Sequence, residues 1–294
     1  MKSFIGRYFA IFILLLVSCG GRNISPGGSG LIEATEVIIS SEAAGQLKWL
    51  SFNEGDQIEI NDTIGIIDTT TIILNLREVE ALKRTAETRR QTASLAIEQA
   101  EFNLELAIKE YERVSELIKT GCINRQQYDQ TETAYNQTIL FKKQTLAAYN
   151  ATQAEMDRII AQSDLLKRQY RNCFPLSPVS GTVVNKYVEV GELIGIGKPL
   201  IQVARLDTIW VKVYLPSSDL IKIKLGSAAI VDPEDGRKEP FSGMVSWISD
   251  VAEFTPKNVQ TKESRADLVY AVKITIPNPD NSLKIGMPVS AKIQ

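Results

Sequence analysis

Histidine is absent from all 294 residues. The commonest metal ligand and the commonest general base are therefore missing, which disfavours metalloenzyme and histidine-triad chemistry. Cysteine is nearly absent too: three residues, Cys19, Cys122 and Cys173. Positive charge is not in excess, since 33 Lys and Arg face 35 Asp and Glu for a net charge of −2, so nothing points to nucleic acid. No apolar run reaches the length needed to span a bilayer; the longest, Phe9 to Val17, has nine residues. Proline and glycine, 11 and 18 in the whole chain, are missing altogether from residues 70–119 and again from 123–174.

The short apolar run follows a positive start at Lys2 and Arg7 and leads into small residues, the pattern of an export signal over residues 1–18. Its end, Leu16-Val17-Ser18-Cys19, resembles the lipobox of bacterial lipoproteins, with Val17 where a small residue is more usual. That resemblance implies cleavage before Cys19 and acylation of its thiol, each buried CH₂ contributing about 0.8 kcal/mol of anchoring. Loss of Lys2 and Arg7 takes the net charge from −2 to about −4. Residues 19–30, containing "GGRNISPGGSG", read as a flexible tether.

The two segments without proline and glycine are rich in Ala, Glu, Gln, Lys, Arg and Leu, good helix formers. In the second, Tyr135, Ile139, Leu146, Tyr149, Met156 and Ile160 recur at intervals of 3 and 4 or their sum, with Tyr170 and Phe174 in phase. The first offers Val79, Leu82, Ala86, Ala93, Ala96 and Ala100, then shifts phase to Leu104, Ala107, Tyr111, Val114 and Ile118. A close antiparallel pair over residues 70–175 is predicted, projecting on the order of 70 Å. Cys122 and Cys173 then stand at opposite ends, far beyond the ~7 Å that a disulfide tolerates. At the corner, Lys119 suits the last turn of the first helix, Gly121 supplies a left-handed stop, and Asn124 is a natural N-cap. Gln127 lies three residues on, as in a capping box, and Ile123 with Tyr128 take the positions of a hydrophobic staple.

The flanks of this hairpin repeat each other. Placing "AAGQLKWLSFNEGDQIEINDTIGIID" (43–68) on "VSGTVVNKYVEVGELIGIGKPLIQVA" (179–204) matches Gly45 with Gly181, Gly55 with Gly191, Asp56 with Glu192 and Ile58 with Ile194. Each half reads as short strands with glycine at the turns. The two resemble the halves of a lipoyl (biotinyl) domain, a flattened β-sandwich, in residues 43–69 and 176–206. In carrier domains of that type a lysine in the connecting hairpin takes the prosthetic group. Here the helical hairpin occupies that place, so no cofactor is expected. After it, residues 207–294 offer strands at 208–216, 228–233, 241–254, 270–278 and 287–293, with a short capped helix at 217–226. These suit a small β-barrel, to which residues 31–42 would add a strand.

The resulting fold class is α+β: a long antiparallel coiled-coil hairpin inserted into a split lipoyl-like sandwich, followed by a small β-barrel. This order resembles the periplasmic adaptor, or membrane fusion protein, family of HlyD and MacA type. The stretch from Phe254 to Ile293 is similar to the shorter members that serve ABC exporters. The resemblance implies a non-enzymatic subunit, lipid-anchored in the periplasm, with the inner membrane favoured over the outer. It would link an inner-membrane transporter, ABC rather than RND, to a TolC-like outer-membrane channel as a hexamer or paired trimers. MacA-like members continue into a membrane-proximal domain, which this resemblance leads one to expect missing or rudimentary here. Family hairpin tips carry Arg, then Leu four residues later, then Ser seven after that; the spacing selects Arg113, Leu117 and Asn124, with Asn in place of Ser. A coiled-coil structural lipoprotein without a transport partner is the alternative.

Overall fold

The computed structural model describes residues 25–233, 240–254 and 268–294; the expected signal, Cys19 and residues 255–267 lie outside the described residues. Two helices dominate, α1 (Thr70–Lys119) and α2 (Arg125–Asn172), packed antiparallel along their length. At 50 and 48 residues they are about 70–75 Å long. Their seam is thin. Val79, Ala86, Met156 and Ile159 form a small buried cluster towards the base, and Ala100 and Val114 are buried nearer the tip. Leu82, Leu146 and Ile160, placed on the seam by the heptad count, are instead 43%, 46% and 40% exposed, and Met156, Ile159 and Ser163 are the buried residues of α2. A 3.6-residue helix drifts about 20° per heptad against a 3.5 repeat, so one fixed heptad count cannot hold the contact line along a whole hairpin.

The helices rise from a β-sandwich made of two interlocked halves. The first contributes β2 (Gly45–Leu50), β3 (Gln57–Ile58) and β4 (Gly65–Ile67); the second contributes β5 (Gly181–Lys186), β6 (Leu193–Ile194) and the start of β7 (Pro199–Pro216). The sequence repeat is an exchange of hydrogen bonds. Gly55 N–H donates to Val183 O and Gly191 N–H to Leu47 O, both at 2.8 Å; Val183 N–H donates to Asp56 O and Leu47 N–H to Glu192 O, both at 2.9 Å. Each bond maps onto its mate when 136 is added to or subtracted from the numbers, as in the alignment of Gly45 with Gly181. The core obeys the same relation: Leu47, Ile67, Ile194 and Leu200 lie in one buried cluster and their mates Val183, Val203, Ile58 and Ile64 in the other. At the base of the hairpin Cys173 joins the first cluster, fully buried, while Cys122 is exposed at the far end; both thiols are free.

The barrel shares its strands with the sandwich. β1 (Gly27–Ser40) pairs first with β11 (Pro288–Ile293) and then with β7, while β8 (Ala228–Asp232), β9 (Phe241–Phe254) and β10 (Leu268–Pro277) complete the circuit β1-β11-β8-β9-β10-β7-β1. All neighbours are antiparallel. Ile209, Val211, Val213, Leu215, Val272, Ile274 and Ile276 fill the interior. Three expectations are corrected. β1 starts at Gly27, inside the presumed tether, because Gly27–Gly30 pair with residues 289–292 of β11. β7 runs unbroken through the boundary expected at 206–207. The helix expected over 217–226 is a single turn, α3 (Ser217–Leu220), after which Ile223 turns into the barrel core and Gly226, at φ +85°, leads into β8.

Where the strands pass from sandwich to barrel, β7 carries a bulge: Ala34 faces Ile209 and Thr35 faces Arg205. The intervening residues are clamped by the buried Asn278. Its Nδ2 donates to Leu206 O (2.8 Å) and Leu283 O (3.1 Å), its Oδ1 accepts from Leu283 N–H (3.0 Å), and its own N–H donates to Asp207 O (2.8 Å).

Candidate functional site

The hairpin tip is built from local turn chemistry. Thr120 ends α1, and Gly121 follows at φ +72° with open space where a Cβ would stand. Gly121 N–H donates to Ile118 O and Cys122 N–H to Leu117 O, each at 3.1 Å, the paired bonds of a Schellman stop. Asn124, extended at ψ 161°, caps α2 by accepting the Gln127 N–H at 2.9 Å. Gln127 contributes its backbone alone, so the capping box is reduced to its first half. Ile123 and Tyr128 are both half-buried, but Tyr128 reaches across to α1: its hydroxyl meets that of Tyr111 at 2.9 Å. Tyr111 also stacks on Tyr135, centroids 5.0 Å apart and rings 11° from parallel, and the Arg125 guanidinium lies 5.3 Å from the Tyr128 ring. The bond from Tyr128, with burial, pushes the Tyr111 phenol up. This tyrosine lock was half legible: Tyr111 and Tyr135 were placed on the seam, but the pairing of Tyr111 with Tyr128 depends on where the turn returns the chain.

Arg113 and Leu117, one helical turn apart, share a face of α1 just before the turn. Arg113 is exposed and ion-paired with Glu110; Leu117 is 38% exposed, and its carbonyl takes the Schellman bond. Asn124 is exposed, with its side chain spent on the cap. Of the three, Asn124 alone spends its side chain on the turn; Leu117 joins it only through its backbone carbonyl, and Arg113 takes no part in it.

The four matched glycines are of two kinds. Gly55 and Gly191 sit at φ +93° and +97° in open turns. A Cβ on Gly45 would lie 2.9 Å from Ile67 Cγ2, and one on Gly181 would lie 2.5 Å from Ala204 O. Where the chain leaves the sandwich for α1, Asp68 accepts from Thr70 N–H at 2.9 Å and pairs with Lys48 at 3.2 Å. Hydrogen bonds from Thr70, then Lys48, lower its carboxyl to about 2. Burial, helped by Asp68, pushes the nearby Cys173 thiol up, the state of an inert core residue rather than a nucleophile. Among the described residues no cluster of three or more His, Cys, Asp or Glu could hold a metal ion, and no helix is long and apolar enough to cross a membrane.

Residues 35–205, more than half of the chain, match the family model described as RND MFP, barrel-sandwich hybrid domain, a domain of membrane fusion proteins. The chain belongs to the membrane fusion protein family. Similar full-length relatives are a UPF0194 membrane protein of Enterobacter sp. (strain 638), 24% identical over 99% of this chain and 98% of its own length, and one of Yersinia pseudotuberculosis serotype O:3 (strain YPIII), 27% identical over 90% and 88%. Among solved structures, MacA from Actinobacillus actinomycetemcomitans superposes with a TM-score of 0.63 at 19% identity, covering 92% of this chain and 79% of that one. The likeness to MacA is one of fold. The matched region of this membrane fusion protein begins within β1 and ends in β7, so it takes in the sandwich and the whole hairpin.

Proposed function

We propose that this protein is the periplasmic adaptor subunit of a tripartite export system, joining an inner-membrane transporter of ABC type to a TolC-like outer-membrane channel. The observation that carries the reading is the insertion of a roughly 70 Å helical hairpin between the two halves of one small sandwich, with an exposed Arg113 beside its tip. A free-standing strut has no use for a split sandwich at its foot, which is what separates this reading from a structural lipoprotein. No chemistry is assigned: the adaptor works by shape and contact. Copies would repeat around an axis, six in all or as paired trimers, because a heterologous contact between identical subunits closes into a ring. Acylated Cys19 would hold the ring to the inner membrane, and the tips, at the opposite end, would meet the channel through Arg113 and Leu117. One deletion and one substitution test this in cells. Deleting residues 70–172 should abolish export and leave the folded sandwich and barrel at the membrane; an export-competent deletion removes the bridging role. Arg113→Asp should lower export at an unchanged unfolding temperature, and unchanged export removes Arg113 from the contact.

A further inference from the structure

The antiparallel circuit of the barrel gives it two distinct ends. β7, β9 and β11 finish, and β1, β8 and β10 begin, at the end away from the sandwich. That far end carries five exposed apolar side chains: Ile221 is 87% exposed, Val251 70%, Phe254 69%, Leu225 67% and Leu268 55%. They come from three stretches of the sequence, which form two places on the rim. Ile221 and Leu225 lie on the loop that follows α3, in "IKIKL", where Lys222 and Lys224 alternate with them and Ile223 turns inward. Val251, Phe254 and Leu268 lie where β9 and β10 run on as a ribbon, Phe254 opposite Leu268. Among the described residues the acidic neighbours are Asp219, which pairs with Lys222 at 3.1 Å, Asp250 and Glu253. Exposed aliphatic and aromatic groups gathered on one rim mark a contact rather than a solvated surface.

The chain's own connectivity says what that contact is. β1 begins at this same end, with Gly27 opposite Lys292. Only seven residues lie between Cys19 and Gly27, eight Cα steps, at most about 28 Å of extended chain. We infer that the far end of the barrel lies on the phospholipid surface, with Ile221, Leu225, Val251, Phe254 and Leu268 inserted into the interface and Lys222 and Lys224 at the headgroups of anionic lipids. This rests on the anchoring of Cys19 proposed above. A short tether and a second, weaker insertion act together: once the acyl chains hold the protein to the bilayer, the rim meets lipid at high effective concentration. The barrel is then fixed upright with its hairpin pointing away, instead of swinging on a lipid leash.

The test uses the chain from Gly20 onward, which retains every described residue and carries no acyl group. It is floated with vesicles of phosphatidylethanolamine and phosphatidylglycerol. It should partition onto them, more strongly as phosphatidylglycerol is increased. Ile221→Asp with Leu225→Asp should weaken partition about tenfold or more, while Leu193→Asp, at an exposed apolar site in β6 of the sandwich, should leave it unchanged; matching unfolding temperatures show that all three fold. No partition at any composition, or equal partition of the double variant, overturns the inference. So does a photo-crosslinker at residue 221 that, in cells, captures a transporter protein and no phospholipid. Acyl labelling of the wild-type chain is read separately. Its absence refutes the anchor alone, because the vesicle result does not depend on it.

Discussion

Gly181, the first residue of β5, and Gly191, in an open turn, belong to the same half-sandwich, and substituting alanine at each should cost different amounts for different reasons. At Gly181 the added methyl would lie 2.5 Å from Ala204 O and 2.9 Å from Val203 Cγ1. The obstacle is the backbone of β7, which cannot rotate away, so β5 must lift from its partner. Overpacking of this kind costs about 3 kcal/mol. At Gly191 nothing lies within 4 Å, and the cost is only that of an L-residue at φ +97°, about 1 kcal/mol. For a folded unit of this size each kcal/mol lowers the melting temperature by roughly 2–4 °C. Gly181→Ala should therefore melt about 6–12 °C below wild type and Gly191→Ala about 2–4 °C below. Thermal unfolding followed by near-ultraviolet circular dichroism reports the aromatic packing of the sandwich and barrel. Equal losses, or a larger loss at Gly191, would refute the assignment of Gly181 to close approach and Gly191 to conformation.

Asn278→Ala removes three side-chain hydrogen bonds at the bulge and leaves both backbone groups of the buried Leu283 without their partner; a loss of about 3 kcal/mol is expected, with faster amide exchange at Leu283, and unchanged exchange there would show that the clamp is dispensable. Asp68 has a folded-state pKa below the ordinary carboxylate value, so its contribution is complete above about pH 4 and is lost as pH falls towards about 2. Asp68→Asn should therefore flatten the fall in melting temperature between about pH 4 and 2, and an unaltered slope would show that other carboxylates govern it.

Much of the site could be read in the chain because it depends on short spacings. The Gly121 stop, the Asn124 cap and the two helices rest on residues within a few positions of one another, where propensity and capping act directly. The half-sandwich repeat was legible for a related reason. Glycines at Gly45, Gly55, Gly181 and Gly191 are demanded by backbone conformation or close approach, and few residues can replace them. The seam was less legible, since which of Ile159 and Ile160 is buried depends on accumulated drift along the hairpin and not on any local choice. The single turn of α3 was misread for a similar reason: Ile223 is drawn into the barrel core, and that pull ends a helix whose sequence would support more turns.

The sequence by itself determined the element types, the position of the corner and the duplication either side of it, because each follows from interactions between near neighbours. Tertiary structure alone decided three things. It made β1 and β7 single strands shared by sandwich and barrel, since pairing partners lie as many as 265 residues apart (Gly27 with Lys292) and leave no local trace. It brought Tyr128 to Tyr111, so that a turn residue became a clasp between helices. It also gathered Ile221, Leu225, Val251, Phe254 and Leu268 on one rim beside the start of β1. Exposed apolar residues scattered along a chain carry no message until closure of a barrel sets them side by side.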